Sequence, residues 1–314
     1  MLRAGSRALS IFTNALNARV LHAHAEKPLS PHELEEALGW APQSSLRAVV
    51  NKMCELNALA RTDDAIGAPT ELTPAGRELL PVADSLERWL EGAPDGPIPL
   101  EDPAAQGIVR VLAAGWDSTV IRALAEQPQT LIELSSTISD HNYPALKRRL
   151  GKLRATHLVT PVRTEEGGAY AVSEWLRRAV VPLTYAGRWE RRHDCDAAPI
   201  TAVEIEAALL LALPLAELPA RSVGACALAV LTSSEERSRL KQNVAGVAVE
   251  IKQGEIVSCA VGTPASQPTW ALGTIDAWLD AMVEGRRDAL RVSGTKPRLA
   301  EGIVRGLHAG LFKL

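Results

Sequence analysis

The chain repeats part of itself at a shift of one hundred positions. The segment RVLHAHAEKPLSPHEL, which begins at Arg19, aligns without a gap with TVIRALAEQPQTLIEL, which begins at Thr119. The same shift pairs an Arg-Trp dipeptide at Arg88 with another at Arg188. Because one shift persists over about seventy residues, the sequence indicates a duplicated structural unit. We call the two halves copy one and copy two.

Both copies show the same order of predicted elements. A helix is followed by a short helix with a capping pattern, Ser30 in copy one and Thr130 in copy two, and then by a third helix. Two β-type runs around a polar turn and a closing helix complete the unit. The longer helices are predicted at 20–26, 43–56 and 74–90, and at 120–126, 144–155 and 174–192. This order is that of a winged helix-turn-helix, in which the later helix of the pair enters a DNA groove and the hairpin is the wing.

Positive charge is concentrated on one such helix. The whole chain has a formal net charge of −3 and a pI near 6.2, yet the segment from Asn142 to Arg154 contains no acid. Its five cations are Lys147, Arg148, Arg149, Lys152 and Arg154. DNA affinity depends on where cations lie, since each phosphate contact releases counterions locally. The alternative interpretation is an ordinary solvated helix face.

Copy two resembles an HxlR-type winged-helix transcriptional regulator. The resemblance rests on GWDSTVIRALAEQPQTLIELSSTI, LKRRLGKLRATHLVTP and YAVSEWLRRAVVPLTYAGRW. It implies a protein that reads a two-fold site on double-stranded DNA as a dimer. Two copies in one chain are expected to form an internal pseudo-dimer in a monomer, or to pair between chains as a homodimer. Copy one departs from the pattern, with Leu16 at the position of Trp116 and with Asp63 and Asp64 in its wing.

The resemblance and the charge pattern together predict a DNA-contacting surface. In copy two the exposed side of the third helix and the wing are expected to supply most contacts, and copy one is expected to add a weaker set. The predicted residues are Tyr143, Lys147, Arg148, Arg149, Lys152, Arg154 and Arg163 in copy two, and Ser44, Ser45, Arg47 and Asn51 in copy one.

The residues after about position 200 do not continue the repeat. They read as a helix, a strand, two strands around Gln253–Gly254, a strand that becomes a helix capped by Thr274, and a last strand and helix. The segments KQGEIVS, TIDAWLDAMVEG and LRVSGTKPRLAEGIVRGL resemble a sterol-carrier-protein type lipid-binding domain. That resemblance implies helices packed on a sheet around an apolar tunnel. A plain hydrophobic core is the alternative.

These observations predict an α+β chain with two tandem winged helix-turn-helix domains and a small α/β lipid-carrier-like domain. The expected boundaries are 1–90 for the first winged helix, 91–107 for a linker rich in Pro, Gly and acids, 108–195 for the second winged helix, and 200–314 for the carrier-like domain.

Seven tryptophans against two phenylalanines and three tyrosines suggest a ligand role for some indoles. Flat indole faces are suitable walls for planar or apolar ligands. Trp40 and Trp175 could line a pocket between domains, and Trp270, Trp278 and Met282 could line one in the third segment. Ordinary packing is the alternative for all of them.

Several chemistries find no support in the sequence. No GxGxxG, GxxxxGK[ST], HExxH or GxSxG motif occurs in the required context, so we expect no enzyme and no cofactor. The four cysteines are widely spaced, and Cys195 beside His193 and Asp196 lacks a second ligand cluster, so no metal is expected. The most apolar run is too short to span a membrane, which favours a cytoplasmic protein. Two other functions stay open: a small-molecule sequestration protein without DNA binding, and a winged-helix scaffold for protein contacts.

Overall fold

A computed structural model of the chain describes residues 5–65, 67–114, 118–138, 142–164, 167–193, 200–232 and 244–312. Helices predominate in these residues, with two short hairpins and one five-stranded sheet. The mixed α+β class predicted from the sequence is therefore confirmed. Within the described ranges, no helix is long and apolar enough to cross a membrane. Trp116 and Cys195 lie outside the described residues.

The described residues divide into two compact units. We call residues 5–114 and 185–193 the N-terminal unit, and residues 118–184 and 200–312 the C-terminal unit. The N-terminal unit thus contains copy one and the last turns of copy two. The C-terminal unit combines the rest of copy two with the third segment.

The N-terminal unit follows the predicted order, with two helices added. Its elements are α1 (Ser6–Ile11), α2 (Ala15–Ala23), α3 (Pro31–Ala37), α4 (Gln43–Glu55), β1 (Leu59–Arg61), β2 (Thr70–Leu72), α5 (Pro74–Glu91) and α6 (Pro103–Ala114). Strands β1 and β2 pair antiparallel, with Leu59 opposite Leu72. Helices α4 and α5 both pack against α2, and Leu21, Met53 and Leu79 are fully buried there.

Local sequence signals set the helix ends of this unit. Ser30 and Glu33 form the predicted capping box, in which each side chain accepts a hydrogen bond from the backbone N–H of the other residue. Thr73 caps the start of α5, because its hydroxyl oxygen accepts a hydrogen bond from the N–H of Gly76. After α4 the chain leaves the helix at Asn57, whose φ of 55° is left-handed.

The part of copy two in the C-terminal unit repeats this arrangement. Its elements are α7 (Ser118–Glu126), α8 (Leu131–Thr137), α9 (Tyr143–Ala155), β3 (Val159–Thr164), β4 (Gly167–Val172), α10 (Glu174–Arg178) and the start of α11 (Val180–His193). Thr130 and Glu133 form a second capping box. His157 follows α9 with a φ of 55°, as Asn57 follows α4. The duplication seen in the sequence is therefore also seen in the order of elements and in these two local features.

The third segment builds one mixed sheet with helices packed on it. Its elements are α12 (Ala202–Ala212), β5 (Gly224–Leu231), β6 (Val244–Lys252), β7 (Glu255–Val261), β8 (Thr269–Thr274), α13 (Ile275–Val283), β9 (Arg291–Gly294) and α14 (Pro297–Leu311). The strand order is β7-β6-β5-β8-β9, and only the β5–β8 pair in it is parallel. Helix α12 packs on β6, while α13 and α14 pack on β5 and β8. The predicted turn at Gln253–Gly254 has positive φ at both residues, as a tight hairpin requires.

Three details of the copies differ from the sequence prediction. Helix α2, predicted at 20–26, spans Ala15–Ala23. The closing helix predicted as 174–192 is split at Ala179 into α10 and α11. Pro182 favours the split, because its ring would clash with the carbonyl four residues earlier, at Arg178, where α10 ends, whereas α5 continues through Pro81. Helix α6 begins at Pro103, inside the segment predicted as linker. Asp102 caps the start of α6, because its carboxylate accepts a hydrogen bond from the N–H of Ala104 at 2.7 Å.

An ion pair and a hydrogen bond connect the third segment to copy two within the C-terminal unit. Arg122 on α7 forms an ion pair with Glu206 on α12 at 2.7 Å. Arg177 on α10 donates a hydrogen bond to the carbonyl oxygen of Leu210 at 2.8 Å. Burial lowers the pKa of Arg177. These contacts join α12 of the third segment to α7 and α10 of copy two within the C-terminal unit.

Candidate functional site

Helix α9 presents its charged side chains to solvent because its apolar stripe faces inward. Leu146, Leu150 and Leu153 are buried, and they recur at intervals of four and three residues. The helix begins at a well-defined cap, in which the side chain of Asn142 accepts a hydrogen bond from the N–H of Ala145 at 2.9 Å. The helix is thus anchored by its apolar face and by its first turn, and the other face is left for contacts outside the unit.

Four of the five cations on α9 are exposed, namely Lys147, Arg148, Lys152 and Arg154. Across the described ranges, no hydrogen bond or ion pair engages these four side-chain charges. Arg149 differs, since it is half-buried and has an interaction partner. The exposed charges are therefore available to an anionic partner.

The spacing of these residues places like charges side by side. Arg148 and Lys152 are four residues apart and so are neighbours on the helix surface. Tyr143, which is 48% exposed, and Lys147 form a parallel row by the same spacing. Like charges at this spacing destabilise an isolated helix. An anion that bridges them would remove that repulsion, so the arrangement favours a polyanionic ligand.

The neighbouring hairpin adds one more cation. Strands β3 and β4 pair antiparallel, and Arg163 lies opposite Gly168. The Arg163 side chain is exposed. Helix α9 packs directly on β3, so the hairpin continues from the helix that carries the cations.

The equivalent helix of copy one has a different electrostatic character. On α4 the predicted DNA contacts Ser44, Arg47 and Asn51 are exposed, and Ser45 is half-buried. The Lys52 ammonium is paired with the Glu55 carboxylate at 3.2 Å. The two copies therefore share a fold while presenting different charge to solvent.

The first hairpin also differs in charge. Asp63 and Asp64 are both exposed on it. The carboxylate of Asp63 accepts a hydrogen bond from the N–H of Ala65 at 2.7 Å, which is a local turn contact. Asp63 therefore has a structural use in the turn, and it also places negative charge where copy two has Arg163.

The structure places the predicted ligand-binding residues in unlike surroundings. Trp40 is 64% exposed, whereas Trp175 is 5% exposed. Trp278 is 4% exposed, and its indole N–H donates to the carbonyl oxygen of Ala229 at 2.8 Å, so it bridges α13 and β5. Met282 is buried on the same helix, and Trp270 on β8 is half-buried. Buried indoles with a satisfied N–H are typical of core packing.

Sequence reasoning missed a cleft in copy one. Its volume is about 430 Å³, and it lies between α3, α4 and the β1–β2 hairpin. Arg47 and Asn51, predicted as DNA contacts, line it together with Arg61 and Thr70. The signal that could have indicated it is a difference between the copies, because Arg61 and Thr70 align with Pro161 and Tyr170.

Comparison with known proteins adds no assignment. The chain matches no family model and no curated protein.

Proposed function

We propose that the protein is a DNA-binding transcriptional regulator in which copy two makes the main contacts to double-stranded DNA. Each copy would act as a winged helix-turn-helix domain, with α9 in the major groove and the β3–β4 hairpin as the wing. The third segment would be a lipid-carrier-like domain fastened to copy two. No catalytic role is part of this proposal.

The observation that carries the proposal is the exposed cationic face of α9, on which Lys147, Arg148 and Lys152 have no ion-pair partner among the described residues. Lys147, Arg148 and Lys152 lie on a helix that has no acidic residue of its own. A protein with a net charge of −3 is not attracted to DNA as a whole, so binding requires such a local surface. The order of helices and hairpin around α9 supports the same conclusion, because it presents this helix and a wing together.

The difference between the copies supports an asymmetric binding mode. Helix α4 has two cations, one of which is paired with Glu55, and its hairpin carries two exposed aspartates. Copy one would therefore contribute less to phosphate contact than copy two. A scaffold for protein contacts would not require this separation of charge.

A binding assay with matched variants tests the proposal. The variant K147A/R148A/K152A should lose at least about tenfold in affinity for a mixed-sequence DNA duplex, measured by fluorescence anisotropy at fixed salt. The estimate assumes that three lost phosphate contacts together exceed about 1.4 kcal/mol. The copy-one variant R47A/K52A should lose much less.

A control separates local contact from net charge. The variant R291A/R298A/R305A also removes three positive charges, but from exposed positions outside both copies. It should bind DNA as the wild type does. Equal losses in the α9 variant and this control, or equal losses in the two copies, would contradict the proposed interface.

A further inference from the structure

The cleft in copy one has an apolar floor and a charged rim. Leu29, Leu34 and Leu46 are buried in its floor, and Val50 is half-buried beside them. A volume of about 430 Å³ falls within the range of small-molecule sites in proteins, roughly 300–1,000 Å³. The floor therefore suits a short acyl chain or a single aromatic group.

Two arginines lie at the rim of the cleft. Arg47 comes from α4 and Arg61 from β1, and no hydrogen bond or ion pair engages either guanidinium in the described part of the chain. Glu35 from α3 is the acid that also lines the cleft, so the ionisable lining carries two positive charges and one negative. Arginine pairs with carboxylates through two parallel hydrogen bonds. The rim thus complements an anion of that kind.

The equivalent positions of copy two do not reproduce this site. Arg61 aligns with Pro161, which has no charge, and Val50 aligns with the larger Leu150. Thr70 aligns with Tyr170, whose ring takes much more space. The residues that form the cleft are thus present in copy one and replaced in copy two, which carries the cationic helix α9.

We propose that copy one binds a small apolar carboxylate in this cleft. The apolar part would lie on the leucines and Val50, and the carboxylate would pair with Arg47 and Arg61. The proposal does not depend on DNA binding by α9, and it is tested without DNA. It also changes the prediction for Arg47, because an arginine paired with a ligand carboxylate is not available to a phosphate.

Isothermal titration calorimetry with three C8 probes tests the site and its chemistry. We expect the full chain to bind octanoate more tightly than octanol, and not to bind octyltrimethylammonium. The variant R47Q/R61Q should weaken octanoate binding by about tenfold or more, because it removes both charged donors to the carboxylate. Its affinity for octanol should not change.

Two further variants locate the binding event. V50F adds bulk to the floor and should weaken octanoate and octanol alike, whereas K52Q removes a cation of the same helix that does not line the cleft. K52Q should behave as the wild type. Thermal unfolding of each variant checks that the fold is kept, which is expected for R47Q/R61Q because both side chains are exposed.

Three results would overturn the proposal. Octanoate binding that survives R47Q/R61Q would place the site elsewhere, for example in the third segment. Equal affinity for octanoate and octanol would contradict carboxylate recognition. Absence of octanoate binding by the wild type at millimolar concentration would show that the cleft is not a carboxylate site.

Discussion

The indole N–H of Trp189 on α11 donates a hydrogen bond to the carbonyl oxygen of Ala75 on α5, at 2.8 Å. Arg192 forms an ion pair with Glu78 at 3.2 Å, and the Nε2 atom of His193 lies 3.3 Å from the same carboxylate. These residues all belong to the N-terminal unit. Residues 185–193, at the end of the closing helix of copy two, therefore contact the closing helix of copy one within the N-terminal unit.

The Trp189 hydrogen bond should contribute measurably to stability. Trp189 is 4% exposed, so the W189F variant would leave the Ala75 carbonyl without this donor in a buried environment. We expect a loss of about 1–3 kcal/mol in the free energy of unfolding, measured by urea denaturation. W40F, at a residue that is 64% exposed, is the matched control and should change stability little.

The same contact predicts the oligomeric state. If the closing helices pair inside one chain, wild type and W189F should both be monomers in solution when DNA is absent. Static light scattering across a concentration series measures this. A stable dimer that dissociates when Trp89 and Trp189 are both replaced would show pairing between chains instead.

Glu190 should be a long-range cap for the first helix. Gly5 has no side chain that could cap α1, and the carboxylate of Glu190 accepts hydrogen bonds from the N–H groups of Gly5, Arg7 and Ala8 at 2.7, 2.6 and 2.9 Å. E190Q keeps one acceptor oxygen but loses the charge. We expect it to lower the free energy of unfolding by about 1–3 kcal/mol. The exposed replacement E91Q should leave stability unchanged, and equal effects would contradict the capping role.

His24 should make the stability of the N-terminal unit depend on pH. The ring is buried between the Val20 carbonyl and the Thr70 hydroxyl, and burial lowers its pKa below the ordinary value of 6.5. The unfolded chain therefore takes up a proton before the folded chain does. The contribution of His24 to stability is present above pH 6.5 and is lost as the pH falls below it.

The H24L variant tests the direction of this pH dependence. Leucine is chosen because Leu124 occupies the equivalent position in copy two. Wild type should lose more stability than H24L between pH 7 and pH 5, measured by thermal unfolding in buffers of equal ionic strength. H32Q, at an exposed histidine, should keep the wild-type dependence. A greater loss of stability between pH 7 and pH 5 in H24L than in wild type would contradict the lowered pKa of His24.

The Arg122–Glu206 pair should couple copy two to the third segment. A double-mutant cycle of R122M, E206Q and both changes should give a coupling energy between about 0.5 and 3 kcal/mol in thermal or urea unfolding. The same cycle on the exposed ion pair between Arg178 and Glu174, whose charged atoms are 3.4 Å apart, should give a smaller coupling energy. Equal couplings would show that the partly buried Arg122–Glu206 pair does not stabilise the packing of α12 on α7.

Much of the local structure could be predicted from the sequence because its causes are local. The capping boxes at Ser30 and Thr130 each lie within four residues, and the hairpin turn at Gln253–Gly254 lies within two. The bounds of α9 follow from its leucine spacing and from Asn142 at its start. The cationic face of the candidate site could be predicted for the same reason, since helical spacing decides which side chains lie off the apolar stripe.

The remaining features depend on contacts that the chain makes over long distances. Nothing near Gly5 indicates that Glu190 caps α1, because the two residues are 185 positions apart. The cleft of copy one requires α3, α4 and the hairpin to come together, so Arg47 alone does not reveal it. Helix α6 was missed for a different reason: the Pro, Gly and acid content of 91–107 indicated a linker, although Asp102–Pro103 is itself a helix-start signal.

The salt dependence of DNA binding tests the central claim most directly. Each phosphate contact contributes about −0.9 to the slope of log affinity against log salt concentration. Anisotropy titrations of one duplex at several salt concentrations should give a steep slope for wild type and for R291A/R298A/R305A. The slope of K147A/R148A/K152A should be shallower by about 2 to 3, one contact for each lost cation. An identical slope in all three proteins, or no binding by wild type at low salt, would contradict the assignment of α9 as the DNA-contacting helix.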